Sequence, residues 1–112
     1  LKPTGVAQGE PSAEWLAALR ELSTCKNFYM KLSGLPGELP PGSDCAVFWP
    51  FFDAAFELLG ADRLMFGSDY PVSYDHARSV SVVIDWMVAR GLTDSSTLAA
   101  IFGQTARQAY GL

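Results

Sequence analysis

The sequence is poor in the residues that build metal and redox sites. It has one histidine, His76, and two cysteines, Cys25 and Cys45, with no Cys-x-x-Cys pair. An all-protein zinc site needs about four such ligands at short spacing, so none assembles here in an ordinary pattern. A Cys25–Cys45 disulfide and two separate thiols are both open readings. Separate thiols in a reducing, cytoplasmic compartment are the expectation. No apolar run reaches about 18 residues, so no transmembrane helix is expected. Basic residues are also few. Eight Lys and Arg stand against twelve Asp and Glu, giving a formal charge of −4 with no basic cluster. Neither nucleic acid nor an anionic membrane surface is therefore an expected partner. Leu1-Lys2-Pro3 shows neither an initiator Met nor a signal-peptide pattern, and the expectation is a chain that begins inside something larger.

What is present suits a packed core. Of 112 residues, 49% are hydrophobic and only 18% charged, which is ample for one small folded unit. After a loop-like start, Ser12 is a good N-cap and Glu14 lies in the first turn of a helix ending near Ser23 or Thr24. Trp15, Leu16, Leu19 and Leu22 form its apolar stripe, and core packing is the expected role of Trp15. Phe28 to Ser33 reads as a strand in which Tyr29, Lys31 and Ser33 share one face. Lys31 in mid-strand has two readings: a buried cation with a partner, or an edge strand with its ammonium in water. Residues 34–46 are Gly- and Pro-rich and long enough to be functional. A helix from about Ala46 to Leu59 follows, capped by Ser43 or Asp44, with Pro50 in its first turn and Gly60 as its stop. A third helix runs from after Asp75 to about Arg90 with Val80, Val83, Ile84 and Met87 as its buried stripe, and His76 at its entry reads as a surface or capping residue. Asp94 caps a fourth helix, Gly103 is expected to break it, and Thr105 to cap a last one, Ala106 to Tyr110.

Between the second and third helices lies the stretch Arg63-Leu64-Met65-Phe66-Gly67-Ser68-Asp69-Tyr70-Pro71-Val72. Leu64, Met65 and Phe66 suit a strand covered on both faces, and Pro71 requires that strand to stop by about Asp69. An ionisable group at the C-terminal end of a parallel strand stands where α/β folds carry out chemistry. Asp69 also suits a plain turn before Tyr-Pro. Two strands with helical crossovers make an α/β layout with a parallel sheet. As a free-standing unit it leaves strand edges unpaired, whereas a (β/α)8 barrel takes about 250 residues.

Lys31-Leu32-Ser33-Gly34-Leu35, then Asp62 to Val72, then Ile101-Phe102-Gly103-Gln104-Thr105-Ala106-Arg107-Gln108-Ala109-Tyr110 resemble the C-terminal part of the amidohydrolase-related family of TIM-barrel hydrolases, in its lactonase and decarboxylase branch. Lys2-Pro3 fits the same pattern, so the resemblance spans residues 1–112. It departs at Thr105, where the family usually has Asn, and at Tyr70, where Trp is frequent. The resemblance implies that residues 28–33 and 64–69 are the seventh and eighth barrel strands. It implies that Asp69 is the active-site aspartate, which shuttles a proton or, where a divalent metal such as zinc or manganese is used, ligates it. Met65 and Gly67 would face the barrel interior with Asp69, and Leu64, Phe66 and Ser68 the helices. Lys31, Ser33 and Tyr70 are the candidate substrate-binding residues.

The family's His-x-His pair and its later histidines have no counterpart here. One carboxylate cannot hold a catalytic metal, which takes about three protein ligands. This segment is therefore expected to be inactive by itself and to need the missing N-terminal strands or a homo-oligomeric partner. The reaction expected of the whole is hydrolysis of a small lactone or other cyclic ester or amide. The alternatives are a decarboxylase on the same scaffold, a truncated product acting as a binding or assembly module, and an independent α/β domain with its own ligand site.

Overall fold

In the computed structural model the described residues are 3, 6–73 and 75–112. Helix α1, Ala13–Ser23, starts where the Ser12 hydroxyl accepts from the Trp15 N–H. Strand β1, Met30–Ser33, follows. A loop with a 3-10 turn at Pro36–Glu38 leads to a second such turn, Cys45–Phe48, which Asp44 caps through the Ala46 N–H. Helix α2, Trp49–Leu59, carries Pro50 in its first turn, where a missing N–H costs nothing, and stops at Gly60 with φ 68°. Strand β2 is Leu64–Gly67. Helix α3, His76–Ala89, begins at Asp75, whose carboxylate accepts from the Arg78 N–H. Helix α4, Ser95–Ala99, runs through a π turn, Ala100–Gln104, into α5, Thr105–Tyr110.

The strands pair in parallel, with Met30 opposite Leu64, Lys31 opposite Met65, Leu32 opposite Phe66 and Ser33 opposite Gly67. Both are shorter than the sequence suggests. Residues 28 and 29 lie outside β1, since the chain opposite them is the 3-10 turn Ala61–Arg63 and not strand. At the other end β2 stops two residues before Asp69, which takes the left-handed φ of 60°.

One face of the sheet builds the core. Met30, Leu32 and Leu64 join Trp15 and Leu19 of α1, Phe51, Phe52 and Ala55 of α2, and Val83 and Trp86 of α3 in one buried cluster. Aromatic edges lace it together: Trp15 meets Phe51 at 5.4 Å, and Phe52 meets Trp86 at 5.4 Å, both T-shaped. Phe66 lies half-buried on this side, against the rings of Phe102 and His76. The expected helix-facing roles of Leu64 and Phe66 hold. Met65 is also buried but stands outside the cluster.

Three local expectations are corrected. The core stripe of α3 is Ser79, Val82, Val83, Trp86 and Met87, while Val80 and Ile84 are only half-buried. The run of valines offers two overlapping stripes, and Trp86 selects between them because its N–H finds the Asp53 carboxylate at 2.8 Å. Gly103 does not break the helix. The backbone widens into the π turn and continues, so glycine's weak helix propensity is overridden by packing. Thr105 is not a cap. It is helical, 2% exposed, and its hydroxyl donates to the Ala61 carbonyl at 2.8 Å, tying the C-terminal helix to the entry of β2.

Arg63 closes the lower end of the layout. Its guanidinium donates to the carbonyls of Ser23 at the end of α1 and Leu58 at the end of α2, groups that helix termini leave without partners. Cys25 and Cys45 are free thiols, Cys25 exposed and Cys45 half-buried. Among the described residues each strand keeps one open edge, and no helix is long and apolar enough to cross a membrane.

Candidate active site at the end of the last strand

The second face of the sheet presents different chemistry. A Cβ placed on Gly67 would come within 3.0 Å of the Ser33 side chain and 3.7 Å of Lys31 Cδ, so Lys31, Ser33 and Gly67 share this face. Glycine at 67 is what lets the Ser33 side chain lie against the neighbouring backbone. Lys31 is exposed, and its ammonium lies 5.3 Å above the Tyr110 ring. Among the described residues it therefore stands on an edge strand, with an aromatic face close by.

Beyond Gly67 the chain turns sharply. Asp69 adopts φ 60°, a conformation that Asp tolerates better than most residues. The Tyr70–Pro71 peptide is cis. The Ser73 N–H donates to the Asp69 carbonyl at 2.9 Å, and the Ser73 hydroxyl donates to Asp69 Oδ2 at 3.2 Å. The Tyr70 N–H donates to the Ser68 hydroxyl at 3.3 Å. These bonds hold the Asp69 carboxylate half-buried at the C-terminal end of β2.

Asp69 shares a cavity of about 180 Å³ with Lys31 and Ser33, walled on its apolar side by Trp15, Leu35 and Phe51. Three of the four residues singled out in the sequence therefore meet in one place. Tyr70 does not join them; it is 73% exposed on the outside of the turn. The cavity lies at the open edge of β1, and the Trp15 indole N–H beside it is buried without a hydrogen-bond partner among the described residues. The core role expected of Trp15 holds for its ring and leaves this donor unsatisfied.

A second recess of about 240 Å³ lies between the loops that follow the two strands, lined by Pro36, Gly37, Val72, Ser73, Asp75 and Arg78. Arg78 Nη2 donates to the Ser43 carbonyl at 2.8 Å, which holds the long loop after β1 against the start of α3. Neither Ser73 nor Arg78 was singled out in the sequence, because the contacts that matter depend on how the two loops meet.

Among the described residues no three His, Cys, Asp or Glu side chains come together as a metal site. His76 lies on the opposite side, its ring 6.3 Å from that of Phe66. A catalytic metal needs about three protein ligands, so these residues do not fit one by themselves.

A carboxylate at the C-terminal end of a parallel strand, facing a small cavity with an amine and a hydroxyl, stands where α/β enzymes of the barrel and doubly wound types place their sites. The family model described as Amidohydrolase matches residues 3–112. The chain belongs to the amidohydrolase family of hydrolases. It is 38% identical over 110 residues to an L-fucono-1,5-lactonase of Burkholderia multivorans (strain ATCC 17616 / 249), covering 89% of this chain and 36% of that protein. It is 41% identical over 68 residues to an L-fucono-1,5-lactonase of Burkholderia ambifaria, covering 61% and 23%. Crystal structures of a Burkholderia multivorans amidohydrolase, one with zinc bound and one with HEPES bound, superpose with TM-scores of 0.77 and 0.78 at 36% identity, over 89% of this chain and 37% of theirs. The matches thus span between about a quarter and a little over a third of the length of these relatives.

Proposed function

We propose that this chain supplies the last two strand–helix units, the seventh and eighth, of a (β/α)8 hydrolase that opens the lactone of a sugar acid. The observation that carries the reading is the position of Asp69, at the C-terminal end of β2 in one cavity with Lys31 and Ser33. Two features support completion by further strands: the open edge of β1 and the buried, unpaired indole N–H of Trp15 beside it. Upstream strands of a longer chain, or a partner, would cover both. The Burkholderia relatives named as lactonases supply the substrate class.

In this reading Asp69 accepts the proton of the attacking water as its oxygen bonds to the lactone carbonyl carbon. It returns that proton to the ring oxygen as the ring C–O bond breaks, so the product is the open hydroxy acid. Lys31 and Ser33 offer N–H and O–H donors to substrate oxygens. A divalent metal, zinc as in the Burkholderia multivorans neighbour or manganese, would take Asp69 as one ligand and draw the others from the remaining strands. The 112-residue chain alone is inactive in this reading.

The test joins this chain to the N-terminal two thirds of the Burkholderia multivorans lactonase and assays sugar-lactone hydrolysis. The hybrid is expected to be active and the isolated chain inactive. Asp69→Asn in the hybrid should lower kcat by about 100-fold or more, the usual yield of a proton-transfer group. An Asp69→Asn hybrid within threefold of the parent, or an active isolated chain, would overturn the proposal.

A further inference from the structure

We propose that Ser73 is the positioning residue for Asp69; the inference rests on the role given to Asp69 above. A lone carboxylate on a turn is a poor catalytic group unless its rotation is stopped, because its terminal torsion is broad and roughly two-fold. Here it is stopped from one side. The Ser73 hydroxyl donates to Oδ2 at 3.2 Å, and the Ser73 N–H ties down the Asp69 carbonyl at 2.9 Å. No other described residue hydrogen-bonds that carboxylate, so Oδ1 is left to meet a reacting water. The three residues between the pair cannot do this work. Tyr70 and Val72 are 73% and 77% exposed, and Pro71 has no N–H.

Ser73 stands between the two loops. It lines the recess there, and its Oγ would stand 3.6 Å from a Cβ added at Gly37 of the loop after β1. The Arg78 bond to the Ser43 carbonyl keeps that loop in place. Arg78 ties down the loop that walls this recess, Ser73 lines the same recess, and Ser73 donates to one oxygen of Asp69. The hydroxyl directs its single proton to Oδ2, and in this proposal its part is to orient the carboxylate.

The experiment is steady-state kinetics on the complete barrel carrying this chain. Ser73→Ala should lower kcat about tenfold while KM stays within twofold, since misplacing a reacting group by an ångström costs up to about 100-fold. Ser73→Thr, which keeps the hydroxyl, should restore at least half of kcat. In an Asp69→Asn background Ser73→Ala should cost nothing further. If Ser73→Ala keeps kcat within twofold, moves KM alone, or is matched in loss by Ser73→Thr, Ser73 is not the positioning residue, although the reading of Asp69 stands. If Asp69→Asn is itself fully active, the reading of Asp69 falls and this inference falls with it.

Discussion

Removing the Asp53 carboxylate should cost the fold more than a surface position suggests. Asp53 on α2 accepts three hydrogen bonds. Trp86 Nε1 reaches Oδ1 at 2.8 Å, Arg90 Nε reaches the same oxygen at 2.9 Å, and Arg90 Nη2 reaches Oδ2 at 2.7 Å. Trp86 is fully buried, whereas the Arg90 and Asp53 side chains are 42% and 38% exposed. The ion pair is therefore worth only about 0.2–1 kcal/mol. The larger loss is the indole N–H, which Asp53→Ala leaves buried without an acceptor at a cost of about 1–3 kcal/mol. The expected total is about 2 kcal/mol. Asp53→Asn keeps a carbonyl oxygen for Trp86 and should lose under about 1 kcal/mol. The assay is the urea midpoint of the completed barrel, with the slope checked so that the shift reads stability. In a Trp86→Phe background the Asp53→Ala loss should shrink to the ion-pair value, because no donor is left stranded. An Asp53→Ala shift below about 0.5 kcal/mol, or Asp53→Asn as damaging as Asp53→Ala, would refute the reasoning. Arg90, through its hydrogen bond, holds the Asp53 carboxyl below the usual carboxylate range, against the opposing push of burial. The folded value is the lower one, so this contribution is complete above the unfolded value near pH 4 and fades as pH falls through the folded one.

Thr105→Val should destabilise by about 1–3 kcal/mol by stranding the Ala61 carbonyl, while Thr105→Ser, which keeps the donor, should cost less than half of that; equal losses in urea melts would show that the methyl group and not the hydroxyl matters. Asp94 has its carboxyl pulled down to about 2, first by the Ser96 hydroxyl and then by the Thr97 N–H. Because the folded value is the depressed one, the cap on α4 should be intact above about pH 4 and weaken toward about pH 2, an acid dependence that Asp94→Asn should remove. An NMR titration placing Asp94 at an ordinary value near 4 would contradict it.

The parts of this fold that depend on neighbours in sequence were legible. Ser12, Asp75 and Asp94 each cap the helix expected of them, and Gly60 ends α2 with a positive φ, because a cap is a contact over two or three residues; Asp44 caps the 3-10 turn before α2, whose own start at Trp49 has no side-chain cap. The parallel pairing and the helix-facing Leu64 followed from apolar runs and alternation. The candidate site was legible in part. Asp69, Lys31 and Ser33 could be named from strand position, but Tyr70 lies on the outside of the turn, and Ser73 carried no signal although it is only four residues from Asp69. That bond depends on the left-handed backbone at Asp69, which the residue type permits but does not require.

What the sequence determined by itself is the order of elements, their caps, the apolar faces of the sheet and the aspartate at the end of the last strand. These rest on local backbone preference and on the periodicity of burial. Only the tertiary structure decided which stripe of α3 is buried, that the chain runs helically through Gly103, where the Thr105 hydroxyl goes, and which oxygen of Asp69 is held. Three of those four turn on a polar group that finds its partner, Trp86 on Asp53, Thr105 on Ala61 and Ser73 on Asp69, and the helical run through Gly103 turns on packing. An unpaired polar group costs more in a packed interior than any local propensity recovers.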